Sequence, residues 1–254
     1  MEKRSSILIP TGDVEVLEYF RTSFEVVYGI LHPFEQVAPE NQDIIDETWA
    51  LQDGDSHYLG TNLEFMAYGN GPIWSHYQTL IHPFSWREIV EIMEFPSLNY
   101  LNRLLLECCG ARSRDHGEDI DRMFEKMALS GLNRPNEGQF PPLLLEKFLR
   151  SFLDIGDTTV QITSDFGDRS ENLDVKTLIN QRLISLNDVC RCGNRATLAS
   201  MDNRMLYGTH WDSMYTFLCG RKDDVSAIVE KYQFEGFWFQ PGMNLYWEDG
   251  VIIV

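Results

Sequence analysis

No short pattern in this chain announces a chemistry. A G-x-S-x-G elbow, which would hold a nucleophilic serine at a strained strand-to-helix turn, is absent. A glycine-rich phosphate loop is absent too: Gly69-Asn70-Gly71 is short, has no lysine after it and runs into Pro72 instead of a helix. The C-x-x-C spacing of a zinc knuckle does not occur, so neither a metal nor another cofactor is expected. No stretch approaches the roughly 20 apolar residues of a membrane span, and no apolar signal run follows Met1-Glu2-Lys3-Arg4. The expectation is a cytoplasmic protein that does not enter a membrane.

Positive charge is scarce as well. Lys plus Arg number 21 against 39 Asp plus Glu, a formal net charge of -18. Such a field repels phosphate backbones and anionic lipid, and the nearest thing to a basic patch (Arg103, Arg112, Arg114, Arg122, Lys126) is interrupted by acids, so nucleic acid is not an expected partner. From Asp13 to Asp55 there are 11 acidic residues and one base, Arg21. That run either keeps the protein soluble or marks a surface for a basic protein partner. The five cysteines include a vicinal pair, Cys108-Cys109, and a C-x-C, Cys190 to Cys192, neither of them a usual disulfide spacing. Reduced, buried thiols that pack as small apolar groups are the simplest reading.

What is present fits an ordinary folded protein, with 43% hydrophobic and 12% aromatic residues. At 254 residues the chain can bury roughly 70–75% of the surface it exposes unfolded, without staples. Val14, Leu17, Tyr19 and Phe20 suggest a short helix, and Phe24 to Leu31 reads as a strand that stops at His32-Pro33. Gln36 to Asp55 reads as a surface excursion and Tyr68 to Pro72 as a turn. Ser85-Trp86-Arg87-Glu88 is a capping box opening a helix with Ile89, Ile92 and Met93 inward. Ser97 caps a second helix closed by Gly110. Ile120, Met123, Phe124 and Met127 define an amphipathic third, and Pro141-Pro142 leads a fourth to Gly156.

From Thr158 on, short β-rich runs take over: Thr158–Thr163, Leu183–Leu186, Arg195–Met201 and a long Met205–Cys219. A helix over Val225–Tyr232, capped by Asp223 or Asp224, precedes strands at Glu235–Phe239 and Asn244–Trp247. The whole reads as one α+β domain over residues 1–254, with a mixed or antiparallel sheet built from both chain ends and a helical layer (about 85–156) inserted ahead of a β-rich part (about 157–254). Leu31-His32-Pro33-Phe34 and Ile81-His82-Pro83-Phe84 match in part, but their flanks do not, so no repeat is inferred.

The candidate chemistry centres on His210-Trp211-Asp212-Ser213. In an extended strand His210 and Asp212 share one face and Ser213 takes the other, so a three-residue relay is not expected. The His210/Asp212 pair remains as a catalytic candidate if the protein is an enzyme, or as a structural hydrogen bond. The aromatics Trp74, Trp86, Trp211, Trp238 and Trp247, with Tyr207, Tyr215, Phe237 and Phe239, are either core or a contact surface; alternation sends Phe237 and Phe239 to one face and Trp238 to the other.

Three islands, Ile30–Gln36, Gly71–Trp74 and Trp211–Gly220 with the helix and Phe234–Phe239 beyond it, resemble a Bacillus-type bacterial family of unknown function, the YwbB-like group. The resemblance implies a bacterial, cytosolic protein and supplies no catalytic residues; the acidic run after Gln36 and Cys190-Arg191-Cys192 depart from it. If the islands converge, His32, Trp74, Trp211 and Trp247 line a binding pocket with His210 and Asp212. Two functions compete: a non-enzymatic interaction module of immunity or inhibitor type, and a hydrolase or small-molecule-binding protein using the His/Asp pair.

Overall fold

The computed structural model describes residues 9–10, 14–37, 81–135, 137–181, 186, 190, 192 and 195–246. A short helix α1 (Val16–Phe20) precedes β1 (Val26–Leu31), a run of β-branched, aliphatic and aromatic residues. Pro33 has no N–H for a ladder, and β1 ends before it; the chain resumes as β2 (Phe34–Val37) in a second, three-stranded sheet with β3 (Ile81–Phe84) and β4 (Leu132–Asn133). Thus the expected excursion begins as a strand at Gln36, and its remainder, with Tyr68–Pro72, lies outside the described residues. Phe34 pairs with Phe84, so the two His-Pro-Phe segments meet across an antiparallel ladder. Pro83 sits on β3, an edge of the order β3-β2-β4, where a missing donor is tolerated.

Helices α2 (Trp86–Met93), α3 (Leu98–Cys108), α4 (Gly117–Leu129) and α5 (Pro142–Asp154) follow. The Ser85/Glu88 capping box forms on both sides, and Ser97 accepts from the Tyr100 N–H. Gly110, Gly131 and Gly156 take positive φ beyond the helices they close. Ile92 and Phe124 depart from expectation, being about two-fifths exposed. Each lies on the rim of its apolar stripe, which Ile89 with Met93, and Ile120 with Met123 and Met127, already fill.

The main sheet has seven strands in the order β10-β1-β9-β8-β7-β5-β6, where β5 is Thr159–Ser164, β6 Ser170–Asp174, β7 Ala196–Ser200, β8 Leu206–Thr209, β9 Tyr215–Gly220 and β10 Gly236–Trp238. Every pairing is antiparallel, and β1, from near the N-terminus, lies between the last two strands. Strands β9 and β10 therefore run parallel to each other, joined by a crossover through α7 (Lys222–Tyr232). Asp223 and Asp224 fall in the first turn of α7 and Arg221 is its N-cap; the acids still favour the positive end of the helix. Strand β6 and helix α6 (Val175–Asn180), capped by Asp174, had no counterpart in the sequence reading, because polar Ser170–Asp174 carries no apolar alternation. Of the expected strand Leu183–Leu186 only Leu186 is described, and it lies in a helical turn; of Asn244–Trp247, residues 244–246 are described and are not strand, and the rest of both segments lies outside the described residues.

Alternation along the strands builds two cores. Val27, Leu31, Leu206, Phe217, Cys219 and Phe237 face one side, with α1 to α4 and the small sheet. Tyr28, Ile30, Val160, Ile162, Leu198, Tyr207 and Leu218 face the other, with α5, α6 and α7. The expected single helical layer is thus divided between both faces of the sheet, for α5 has its own apolar stripe on the opposite side. Phe237 and Phe239 are core and Trp238 packs edge-on to Tyr28 across the sheet, as their alternation requires. A side chain at Gly29 would strike the Phe237 ring at 2.7 Å.

Candidate functional site

The run Met205–Cys219 is two strands, not one. Between β8 and β9 the chain reverses at His210–Met214, where the Ser213 N–H donates to the His210 carbonyl at 2.9 Å. The Ser213 hydroxyl closes the same turn: it accepts from the His210 N–H (3.2 Å) and donates to the His210 carbonyl (2.9 Å). Local side-chain hydrogen bonds of this kind stabilise turns over strands. The facing argument for an extended strand therefore does not apply here. The hydroxyl is nevertheless spent on backbone groups.

His210 is 2% exposed and its ring lies against the Trp211 indole at 4.2 Å between centroids. The Asp212 backbone N–H donates to His210 Nδ1 at 3.2 Å. A nitrogen that accepts cannot carry the proton, so the neutral ring is protonated on Nε2. That buried atom has no hydrogen-bond partner among the described residues. Burial pushes the His210 pKa down against the attraction of Asp212, and the Arg195 charge pushes the same way as burial. The Asp212 carboxylate accepts from Tyr246 Oη at 3.2 Å. Arg112 lies over the Tyr246 ring at 5.8 Å, and Cys109 Sγ approaches the Asp212 carbonyl at 3.9 Å.

A second loop holds the turn in place. Gly138, at φ +68°, donates to the Ser213 carbonyl at 3.0 Å, and its own carbonyl accepts from Thr209 Oγ1 at 3.1 Å. A β-carbon there would lie 2.7 Å from Trp211 Cα, so glycine is needed for both conformation and space. Trp211 itself is 38% exposed.

His32 sits at the same end of the sheet. Its N–H donates to the Met214 carbonyl at 2.9 Å, and its Nε2 is 2.9 Å from Thr216 Oγ1. The Trp86 indole N–H donates to the His32 carbonyl at 2.8 Å. Two strand spacings, about 10 Å of sheet, separate the His32 backbone from that of His210. His32, His210, Trp211 and Asp212 thus share one sheet end, with the His32 imidazole beside Thr216 and the His32 backbone N–H bonded to Met214, the last residue of the turn. Trp74 and Trp247 lie outside the described residues. Sequence reasoning missed Arg195, Gly138 and Tyr246. The positive φ at Gly138 had a signal, glycine in a loop before a proline pair; the others had none, since only pairing over long separations brings them near.

Among the described residues no cluster of three or more His, Cys, Asp or Glu could hold a metal ion, and no helix is long and apolar enough to cross a membrane. Cys190, Cys192 and Cys219 are buried and Cys108 and Cys109 half-buried, and none of the five forms a disulfide. Burial pushes the Cys108 thiol up to about 11 and raises Cys109 as well.

The fold and this sheet end define an α+β protein with an antiparallel sheet enclosed by helices and a buried histidine turn. The chain belongs to a family described as a protein of unknown function (DUF2711), which it matches over residues 12–249. No curated protein and no solved structure matches it.

Proposed function

We propose that this chain is a non-enzymatic binding module that engages a basic protein partner, in the manner of a bacterial immunity or inhibitor protein. The observation that carries the reading is the net charge of -18. Exposed Glu91, Glu118, Glu125, Asp223 and Glu230 add to it on three helices, making no ion pair among the described residues. An acidic surface steers a cationic partner and raises the association rate. A cytoplasmic setting and the YwbB-like affinity belong to this reading.

The test is capture of native partners at low salt, followed by quantitation. One stoichiometric basic protein, released as salt shortens the Debye length from ~10 Å at 0.1 M to ~3 Å at 1 M, is expected. Capture of nothing stoichiometric, or capture indifferent to salt, refutes it.

A second reading rests on the orphaned His210 Nε2: a small-molecule site without turnover. The hydrolase alternative needs the Asp212 carboxylate on the imidazole, whereas Tyr246 engages that carboxylate and the Asp212 backbone occupies Nδ1. Binding is therefore the chemistry we assign to this end of the sheet.

A further inference from the structure

The sheet register places three polar residues side by side at the turn. Gly208 pairs with Thr197, so continuing two residues sets His210 opposite Arg195. Ala196 pairs with Ser164, and the Asp165 N–H donates to the Arg195 carbonyl at 3.0 Å, which sets Arg195 opposite Asp165. Neighbouring strands are ~4.8 Å apart, so the register, extended one residue past the ends of β8, β7 and β5, brings His210, Arg195 and Asp165 toward one row at the strand ends. Two residues back on the same face the row is Gly208, Thr197 and Thr163, small residues with two buried hydroxyls.

Among the described residues the His210 Nε2–H has no acceptor and the exposed Arg195 has no ion-pair partner. The imidazole Nε2–H is buried and unpartnered. A buried donor left unpaired costs about 1–3 kcal/mol, which argues for a group that accepts from it. Arg195 forms no ion pair among the described residues, although its charge reaches both His210 and Asp165. A carboxylate or phosphate oxygen satisfies both donors at once: it accepts from Nε2–H and neutralises the guanidinium. Asp165, on the far side of Arg195, is the competing anion, and burial raises its pKa, which weakens that competition near its titration.

We propose that His210 Nε2 and the Arg195 guanidinium together form a site for the oxyanion of a small ligand, a carboxylate or a phosphate, beside the half-exposed indole of Trp211. The proposal rests on the small-molecule reading above and names its ligand class. The burial of His210 limits the site to a few ligand atoms.

Long-range imidazole 1H–15N spectra of the full chain test it, with sodium phosphate, sodium acetate and neutral acetamide as probes at constant ionic strength. A saturable shift of His210 Nε2 with phosphate or acetate is expected, weakened at least tenfold in Arg195→Gln. Because Arg195 is exposed, that variant should fold, which circular dichroism verifies. An anion-induced shift unchanged in Arg195→Gln overturns the paired site. Shifts with acetamide but with neither anion overturn the ligand class. Silence from all three probes removes the small-molecule reading with it.

Discussion

Gly138→Ala is the sharpest probe of how the turn is built. The residue has φ +68°, a conformation that costs an L-residue about 1–2 kcal/mol. Its new β-carbon would also meet Trp211 Cα at 2.7 Å and the Trp211 carbonyl oxygen at 3.0 Å, both backbone atoms that cannot swing aside. The 137–140 loop must lift, and that stretches two hydrogen bonds, Gly138 N–H to Ser213 and Thr209 Oγ1 to Gly138. At about 0.5–1.5 kcal/mol each, these bring the total to about 2–5 kcal/mol. Gly156→Ala is the control: φ is +87°, but nothing lies within 4 Å of the added carbon, so only the conformational cost of about 1–2 kcal/mol applies. Urea unfolding of the two variants against the parent measures the difference. Gly138→Ala should exceed Gly156→Ala by at least about 1 kcal/mol, or about 2–4 °C in Tm for a chain of this size. Equal losses would mean that the loop does not clasp the turn, and the account of the site's rigidity would fail.

Other perturbations probe charge and packing. Glu107 is buried and accepts from the Asp115 and His116 N–H groups, from His116 Nδ1 and from Arg103 Nε. Burial raises its pKa but these hydrogen bonds outweigh it, so the net shift is downward. Its stabilisation is present above the ordinary glutamate range and lost as pH falls through the depressed folded value. Glu107→Gln should cost about 2 kcal/mol at pH 7 and progressively less in acid, as read by urea midpoints from pH 3 to 7. Glu235, capping the α2 backbone at Trp86 and Arg87, is shifted the other way by burial. There the folded state binds the proton more tightly, so its contribution is full below the ordinary glutamate pKa and lost as pH rises through the folded value. Glu235→Gln should therefore gain stability relative to the parent between pH 4 and 7; a loss over that range would reverse the assignment. Tyr207→Phe removes a buried 2.7 Å hydrogen bond to Ser151 and should cost about 1 kcal/mol, with a coupling to Ser151→Ala that a double-mutant cycle detects. Under native conditions a thiol reagent should leave Cys219 unmodified, since the residue is fully buried with its pKa pushed up, and should reach all five cysteines only in denaturant. Native labelling of Cys219 by mass spectrometry would contradict its packing.

The residues within a few positions of one another settled much of this protein. Ser85 with Glu88, Ser97 and the glycines that close α3, α4 and α5 mark helix ends because their hydrogen bonds run three or four residues along the chain. His32-Pro33 ends β1 because a proline lacks a donor, and the composition of both chain ends pointed to one shared sheet. The candidate site was legible in part. His210, Trp211 and Asp212 stand together in the chain, and the sequence joined His32 to them only on the condition that distant islands converge. Their roles were not legible. A run of strand-forming residues from Met205 to Cys219 conceals a reversal that depends on Ser213 bonding back to His210 and on Gly138 arriving from some 70 residues away. The division of the helices between two faces and the row His210, Arg195, Asp165 likewise depend on register between distant strands, where each pairing is chosen by the cores it fills and not by its neighbours in sequence. Tertiary structure alone decided which donor would be buried without an acceptor, because burial is a property of everything packed around His210 and not of the histidine.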